Sequence, residues 1–265
     1  MLTVLKLGGE LLEDVAAMHR AAHGIAALAR TSRVVVVHGG GRAIDADLRA
    51  RGLAPSFVDG IRVTDEPTLD VVVGVLAGRI NTRFVAALNA LGTRAVGLTG
   101  ADAAIGLSRR AQPLDGVGGQ TVDPGLVGTP DPAAGMSLLL DLCRAGYVPV
   151  VASVGMDTAG TLLNVNADTL AAHLAASIGA DRLLLASATA GVFDADGQTC
   201  ERLDEADARA MIAAGTARDG MVAKLRAAIT ATIAGVRDVR IVDGTNGQYD
   251  TSVGTRVAVA RELVG

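Results

Sequence analysis

The stretch RVVVVHGGG, residues 33–41, decides the fold of this chain. Four consecutive valines, each branched at Cβ, favour extended backbone, so RVVVVH (33–38) reads as a strand. It has no polar alternation. A strand apolar on both faces belongs in a sheet covered on both sides, the habit of parallel sheets with helical crossovers. Gly39, Gly40 and Gly41 follow at once and lead into AIDADLRARG, a helical pattern stopped by Gly52. The chain opens on the same design. LTVLKL (2–7) is a buried strand ended by Gly8 and Gly9, and VAAMHRAAHGIAALA (15–29) has apolar residues at helical spacing.

Further along, PSFVDGIRVTDE reads as a loop, and PTLDVVVGVLAGRINTRFVAALNALG (67–92) as a long helix. Thr64 or Asp65 is its candidate cap, with Pro67 in the first turn. TRAVGLTG (93–100) is a strand, and residues 101–134, rich in Gly, Asp and Pro, are expected to form irregular hairpins or loops. SLLLDLCRAG is a helix, YVPVVASVG a strand, NVNADTLAAHLAASIGA enters a helix, and RLLLASATAGVF begins as a strand. LDEADARAMIAAG and GMVAKLRAAITATIAG are helices, while VRIVDG and TRVAVA are closing strands. This repeated β-α order predicts an α/β protein, a three-layer αβα sandwich around a mainly parallel central sheet. No long linker divides the chain, so two lobes sharing one continuous sheet are expected.

Composition narrows the function. Half of the 265 residues are hydrophobic but only 2% are aromatic, so the core is aliphatic. So few rings argue against nucleic-acid binding by base stacking, and a net charge of −4 provides no basic footprint for it. No charge-free apolar run approaches the ~18 residues of a membrane span, and no charged-then-apolar leader precedes the first strand. Cys143 and Cys200 lack ligand-like spacing and read as reduced thiols of a cytoplasmic protein. His19, His23, His38 and His173 form no metal-binding pattern, so no protein metal site is expected.

Both glycine clusters fall beyond the carboxyl ends of strands, where ligands of such sheets bind. Glycine lets backbone N–H groups approach a ligand, and the following helix N-terminus favours anions; a tight turn alone also wants glycine. Neither cluster is GxxxxGK[ST] or GxGxxG. Arg62 in FVDGIRVTD suits bidentate capture of a carboxylate, although it also reads as a surface charge. NVNAD spaces Asn164, Asn166 and Asp168 so that all share one face if extended; alternatively Asn166 or Asp168 caps a helix. Of 24 basic residues only Lys6 and Lys224 are lysine. Why an arginine-rich chain keeps lysine at these two places is a question that composition raises and does not answer.

KLGG, HGGG, FVDGIRVTD, LAGRIN, VGLTG, LVG, GYVPVVASVG, NVNAD, GVFD and DGMVAKL stand in an order that resembles the acetylglutamate kinases of the amino-acid kinase superfamily, over almost the whole chain. NVNAD with GIRVTD is specific to that branch, while KxGG and GMxxK are shared more widely. The resemblance implies transfer of the γ-phosphoryl group of ATP to the side-chain carboxylate of N-acetyl-L-glutamate, an acyl-phosphate-forming step of arginine biosynthesis. It implies Lys6 and Lys224 at the transferring phosphoryl group and Asp168 orienting both. Arg62 would hold the α-carboxylate and Asn164 the acetylated end, with Gly39 and Gly40 presenting N–H groups on the substrate side. Gly8 and Gly9 would serve the nucleotide phosphates, and Mg2+ would arrive on the ATP. Residues 1–180 would form the acyl-substrate lobe, which also carries a homodimer interface, and 181–265 the nucleotide lobe.

Two departures touch the nucleotide side. Where the family ends a strand in Leu-Ser/Thr-Asp-Val-x-Gly, this chain has LLLASATAGVF, without the aspartate; Ser187 or Thr189, followed by Gly191, would have to serve. VDGTNGQYDTSVGTRV is shorter than the usual connection. The start at the first strand, without the extra helix of arginine-inhibited members, implies an arginine-insensitive homodimer. Two rivals remain: a kinase of the same fold acting on an aminoadipate group of a carrier protein, and a non-catalytic acetylglutamate-binding protein.

Overall fold

The computed structural model describes residues 1–115, 121–218, 220–250 and 253–259. Residues 116–120 of the expected hairpin region lie outside it, as do Asp219 of DGMVAKL, residues 251–252 of the last connection and Ala260 of the last strand.

One eight-stranded sheet organises the chain. Its strands are β1 (Leu2–Leu7), β2 (Arg33–His38), β3 (Ala95–Thr99), β4 (Val148–Ala152), β5 (Arg182–Ser187), β6 (Arg202–Asp204), β7 (Asp238–Asp243) and β8 (Gly254–Ala258), in the order β6-β8-β7-β5-β1-β2-β4-β3. Every neighbouring pair is parallel except β7 and β8. The apolar strands bury both faces, and their two-residue period divides the core by face. Leu2, Val4, Val35, Val37 and Leu185 face α4 (Ser137–Arg144), α5 (Ala167–Ser177), α6 (Glu205–Ala213) and α7 (Gly220–Ile233). Leu5, Leu7, Val34, Val36 and Leu184 face α1 (Val15–Leu28), α2 (Gly41–Ala50) and α3 (Glu66–Ala90). The three layers expected from the β-α order are present.

β1 leads to α1 on the second face, and the chain after β5 runs through β6 to α6 on the first, so the connections diverge beyond β1 and β5. Such a divergence opens a crevice at the carboxyl ends of the strands.

Three local features differ from the sequence reading. Residues 57–62 form a tight hairpin, Phe57–Val58 paired with Ile61–Arg62, where a loop was expected. Asp59 and Gly60 both take positive φ (46° and 74°), the backbone that the two central residues of a type I′ turn require. α3 is capped by Asp65, which accepts from Thr68 N–H at 2.9 Å, but its middle, Gly74–Asn81, is π-helical. YVPVVASVG splits after Ala152, sending Val154–Met156 into a second sheet with Leu162–Val165, Val127–Pro130 and Ser108–Arg110. α3 is also long and apolar enough, by length and composition alone, to cross a membrane. Here it is a core helix, with Val72, Leu76, Phe84 and Leu88 buried against the sheet.

Candidate active site

Lys6 follows from strand parity. It shares a face with Leu2 and Val4 and therefore points toward α5 rather than α1. Asn166 caps α5, accepting the N–H groups of Asp168 (2.9 Å) and Thr169 (3.1 Å), which sets Asp168 in the first turn. The two meet as an ion pair of 3.0 Å, Lys6 5% and Asp168 6% exposed. Burying such a pair costs desolvation that its attraction barely repays, so stability is a poor reason for it. The alternatives for NVNAD resolve into both: Asn164 lies in an extended strand and Asn166 caps the helix.

Lys224, in the second turn of α7, comes to the same face. Burial lowers its pKa most, and the positive charge of Lys6 lowers it further, against opposing pulls from Asp168 and Glu10. The two lysines therefore share one electrostatic neighbourhood. Their contacts differ from the expectation that Asp168 orients both: the Lys224 ammonium donates to Gly220 O (3.3 Å), and the ion pair of Asp168 is with Lys6.

The Asp59-Gly60 turn sets Arg62 directly opposite Phe57, with the guanidinium 4.6 Å from the ring centroid. Arg62 is 7% exposed. Its Nη2 reaches Asp45 Oδ1 at 2.6 Å and donates to Gly41 O at 3.3 Å, while Nη1 is buried without a hydrogen-bond partner. The surface-charge reading of Arg62 is thereby excluded. Asn164 donates through Nδ2 to Thr64 Oγ1 (3.1 Å), which fixes its amide.

The two glycine clusters meet. A Cβ on Gly9 would lie 2.7 Å from Gly40 Cα, and one on Gly40 would lie 2.5 Å from Ile80 Cδ1. Close backbone approach thus requires Gly9, while Gly40 packs against the side-chain ends of Ile80 and Leu76. Gly8 N–H donates to Ala186 O (2.9 Å), which removes it as a donor to phosphate; Gly9 opens the short turn Gly9–Leu11.

Lys6, Gly8, Gly9, Gly39, Gly40, Arg62, Asn164 and Asp168 all border one cavity of about 480 Å³. Ser187, Thr189 and Gly191 do not border it. Ser187 and Thr189 hydroxyls bond each other at 3.1 Å, and Gly191, at φ 148°, packs where a Cβ would lie 2.7 Å from Thr255 Oγ1. Sequence reasoning missed Asp45, Phe57 and Glu10. The signal for Phe57 was the Asp-Gly turn, which pairs it with Arg62. Glu10 accepts from Ala188 N–H at 3.1 Å, joining the first glycine turn to the ASATAG loop. Among the described residues no group of three or more His, Cys, Asp or Glu is placed to hold a metal ion.

Residues 1–243 match the Amino acid kinase family. The chain belongs to the amino acid kinase family. Within it, the acetylglutamate kinase of Ruegeria sp. (strain TM1040) is 39% identical over 246 residues, covering 92% of this chain and 82% of that protein. The acetylglutamate kinase of Cereibacter sphaeroides (strain ATCC 17029 / ATH 2.4.9) is 41% identical over 243 residues, covering 91% and 80%. Among solved structures, smu.665 from Streptococcus mutans UA159 superposes with a TM-score of 0.81 at 23% identity, covering 97% of this chain and 98% of that one, a likeness of fold.

Proposed function

We propose that this amino acid kinase phosphorylates the side-chain carboxylate of N-acetyl-L-glutamate with ATP, giving N-acetylglutamyl 5-phosphate and ADP. The observation that carries the reading is one cavity with a buried, half-partnered guanidinium on one wall and a buried lysine on the other. A dicarboxylate fits that arrangement, its α-carboxylate at Arg62 Nη1 and its reacting carboxylate toward Lys6. Asn164 holds the acetamido end. Gly39 and Gly40 face the acyl substrate from the second glycine turn.

The acceptor is ionised at neutral pH, so no general base is needed. One carboxylate oxygen bonds to the γ-phosphorus as the bond to the β-phosphate bridging oxygen breaks, and ADP leaves. Catalysis is then positioning and charge relief. Lys6, held by Asp168, and Lys224 are assigned to the equatorial oxygens of the transferring group. ATP carries Mg2+ with it on the nucleotide side, with Gly9 at the phosphates and Ser187, Thr189 and Gly191 on that side. Residues 1–180 form the acyl-substrate lobe and the homodimer interface, and 181–265 the nucleotide lobe, of a cytoplasmic enzyme of arginine biosynthesis.

The test is ADP release with hydroxylamine trapping of the acyl phosphate, comparing N-acetylglutamate, glutamate and N-acylated aminoadipate. Hydroxamate from N-acetylglutamate is expected. Thermal stabilisation by N-acetylglutamate without hydroxamate would point to a binding protein, and preference for aminoadipate to the carrier-protein kinase.

A further inference from the structure

His38 ends β2 on the face that carries Val34 and Val36, fully buried beneath α3. Its ring touches two groups. Nδ1 lies 3.2 Å from Gly39 O, and Nε2 lies 3.1 Å from Asn81 Nδ2. The Asn81 amide nitrogen has two protons: one donates to Val150 O (2.9 Å), which fixes that end of the amide as nitrogen, and the other is shared between Nε2 and the longer contact to Leu98 O (3.4 Å). That nitrogen can only donate, so Nε2 is the acceptor and the ring proton sits on Nδ1, donating to Gly39 O. Burial lowers the imidazole pKa to about 4, so the ring is neutral in working conditions.

Asn81 closes the π-helical segment Gly74–Asn81, and Leu76 and Ile80 of the same segment pack on Gly40. One irregular stretch of α3 therefore grips the second glycine turn twice, through Gly40 Cα and through the ring of His38. π segments inside helices often mark functional positions. The grip has a geometric consequence. Gly39 C=O and Gly40 N–H belong to one planar peptide unit, trans like every described bond here, so they point in opposite directions. Holding the carbonyl toward His38 aims the Gly40 N–H the other way.

We infer that His38 and Asn81 are positioning residues that aim the Gly40 N–H at a carboxylate oxygen of the acyl substrate, through the hydrogen bond from Nδ1 to Gly39 O. They touch neither substrate. The inference rests on the acyl-substrate reading of the cavity.

The test compares His38→Asn, whose amide nitrogen takes the place of Nδ1, with His38→Gln, whose amide takes the place of Nε2. Both remove the ring and should lower Tm similarly. His38→Asn should keep kcat/KM for N-acetylglutamate within about threefold, whereas His38→Gln and Asn81→Ala should lose at least about tenfold, a fraction of the loss of a whole oxyanion donor. KM for ATP should stay within about twofold in all three. Equal losses in the two His38 variants, activity that simply tracks Tm, or a loss expressed in KM for ATP would overturn the inference. Where a variant does not fold, the wild-type protein decides by imidazole 15N shifts. Protonated Nδ1 with a Gly40 amide that moves on adding N-acetylglutamate supports it, and protonated Nε2 or an unmoved amide overturns it. Failure of the acyl-substrate reading looks different, since the unsubstituted protein would then produce no hydroxamate at all.

Discussion

Acidification should destabilise this protein through His38 well above the carboxylate range. The imidazole is neutral when folded, with a pKa pushed down to about 4 by burial, and it regains an ordinary value of 6.5 on unfolding. As pH falls below 6.5 the unfolded chain takes up a proton that the folded chain refuses. The loss begins there and is complete below about 4. The full difference is about 3 kcal/mol, and most of it is lost by a pH of about 4.5. His173, also lowered by burial, adds in the same direction. The depressed carboxylates Asp131 and Asp181 act only at lower pH, because their stabilising shift is lost as pH falls below 3.8. Urea unfolding between pH 7 and 4.5 gives the slope, and 15N shifts of the folded protein assign it. His38 should be the imidazole that stays neutral to the lowest pH. A His38 ring titrating near 6.5 in the native protein would refute the burial and tautomer argument together.

Lys224→Arg should lower kcat about 100-fold, the scale of losing a charge-stabilising donor in a preorganised site; near-normal turnover would remove Lys224 from the reaction. Arg62→Lys keeps the charge but loses the planar fork against Phe57 and Asp45, so KM for N-acetylglutamate should rise at least about tenfold with KM for ATP little changed. Steady-state kinetics in both substrates reads that split. Gly9→Ala forces backbone against backbone at Gly40 Cα, where no flexible side-chain end can yield, and should cut kcat/KM for both substrates. If Gly9→Ala matched the wild-type rate, the close approach of the two glycine turns would have no bearing on the site.

Much of the site was legible because its signals are local. The valine run and the glycines after it set strand and turn over a few residues, and Asn166 and Asp65 cap helices by reaching two or three residues along. The lysine pair was visible from composition alone. The cation over Phe57 was within reach too, since Asp59-Gly60 writes its own turn. What could not be read were the partners of each group. Asp45 beside Arg62, Glu10 beside Ala188 and Asn81 beside His38 have no sequence period linking them. The π segment is hidden in a pattern of helical spacing, because Val72, Leu76, Ile80, Phe84 and Leu88 recur every four residues, a spacing that an α-helical stripe also shows.

By itself the sequence determined the elements, the layered class and the inventory of chemical groups, since caps, turns and strand parity act over short spans of chain. Strand order belongs to the tertiary structure. β5, late in the chain, inserts beside β1, and that placement brings α5 and α7 over Lys6 and opens the crevice. It also decided which charges are buried. Lys6 pairs with Asp168 from a helix distant in sequence, while Lys224 keeps a hydrogen bond within its own helix, to Gly220 O. The physical reason is range: backbone preferences are set by neighbours along the chain, whereas desolvation and pairing depend on whatever the folded core brings alongside.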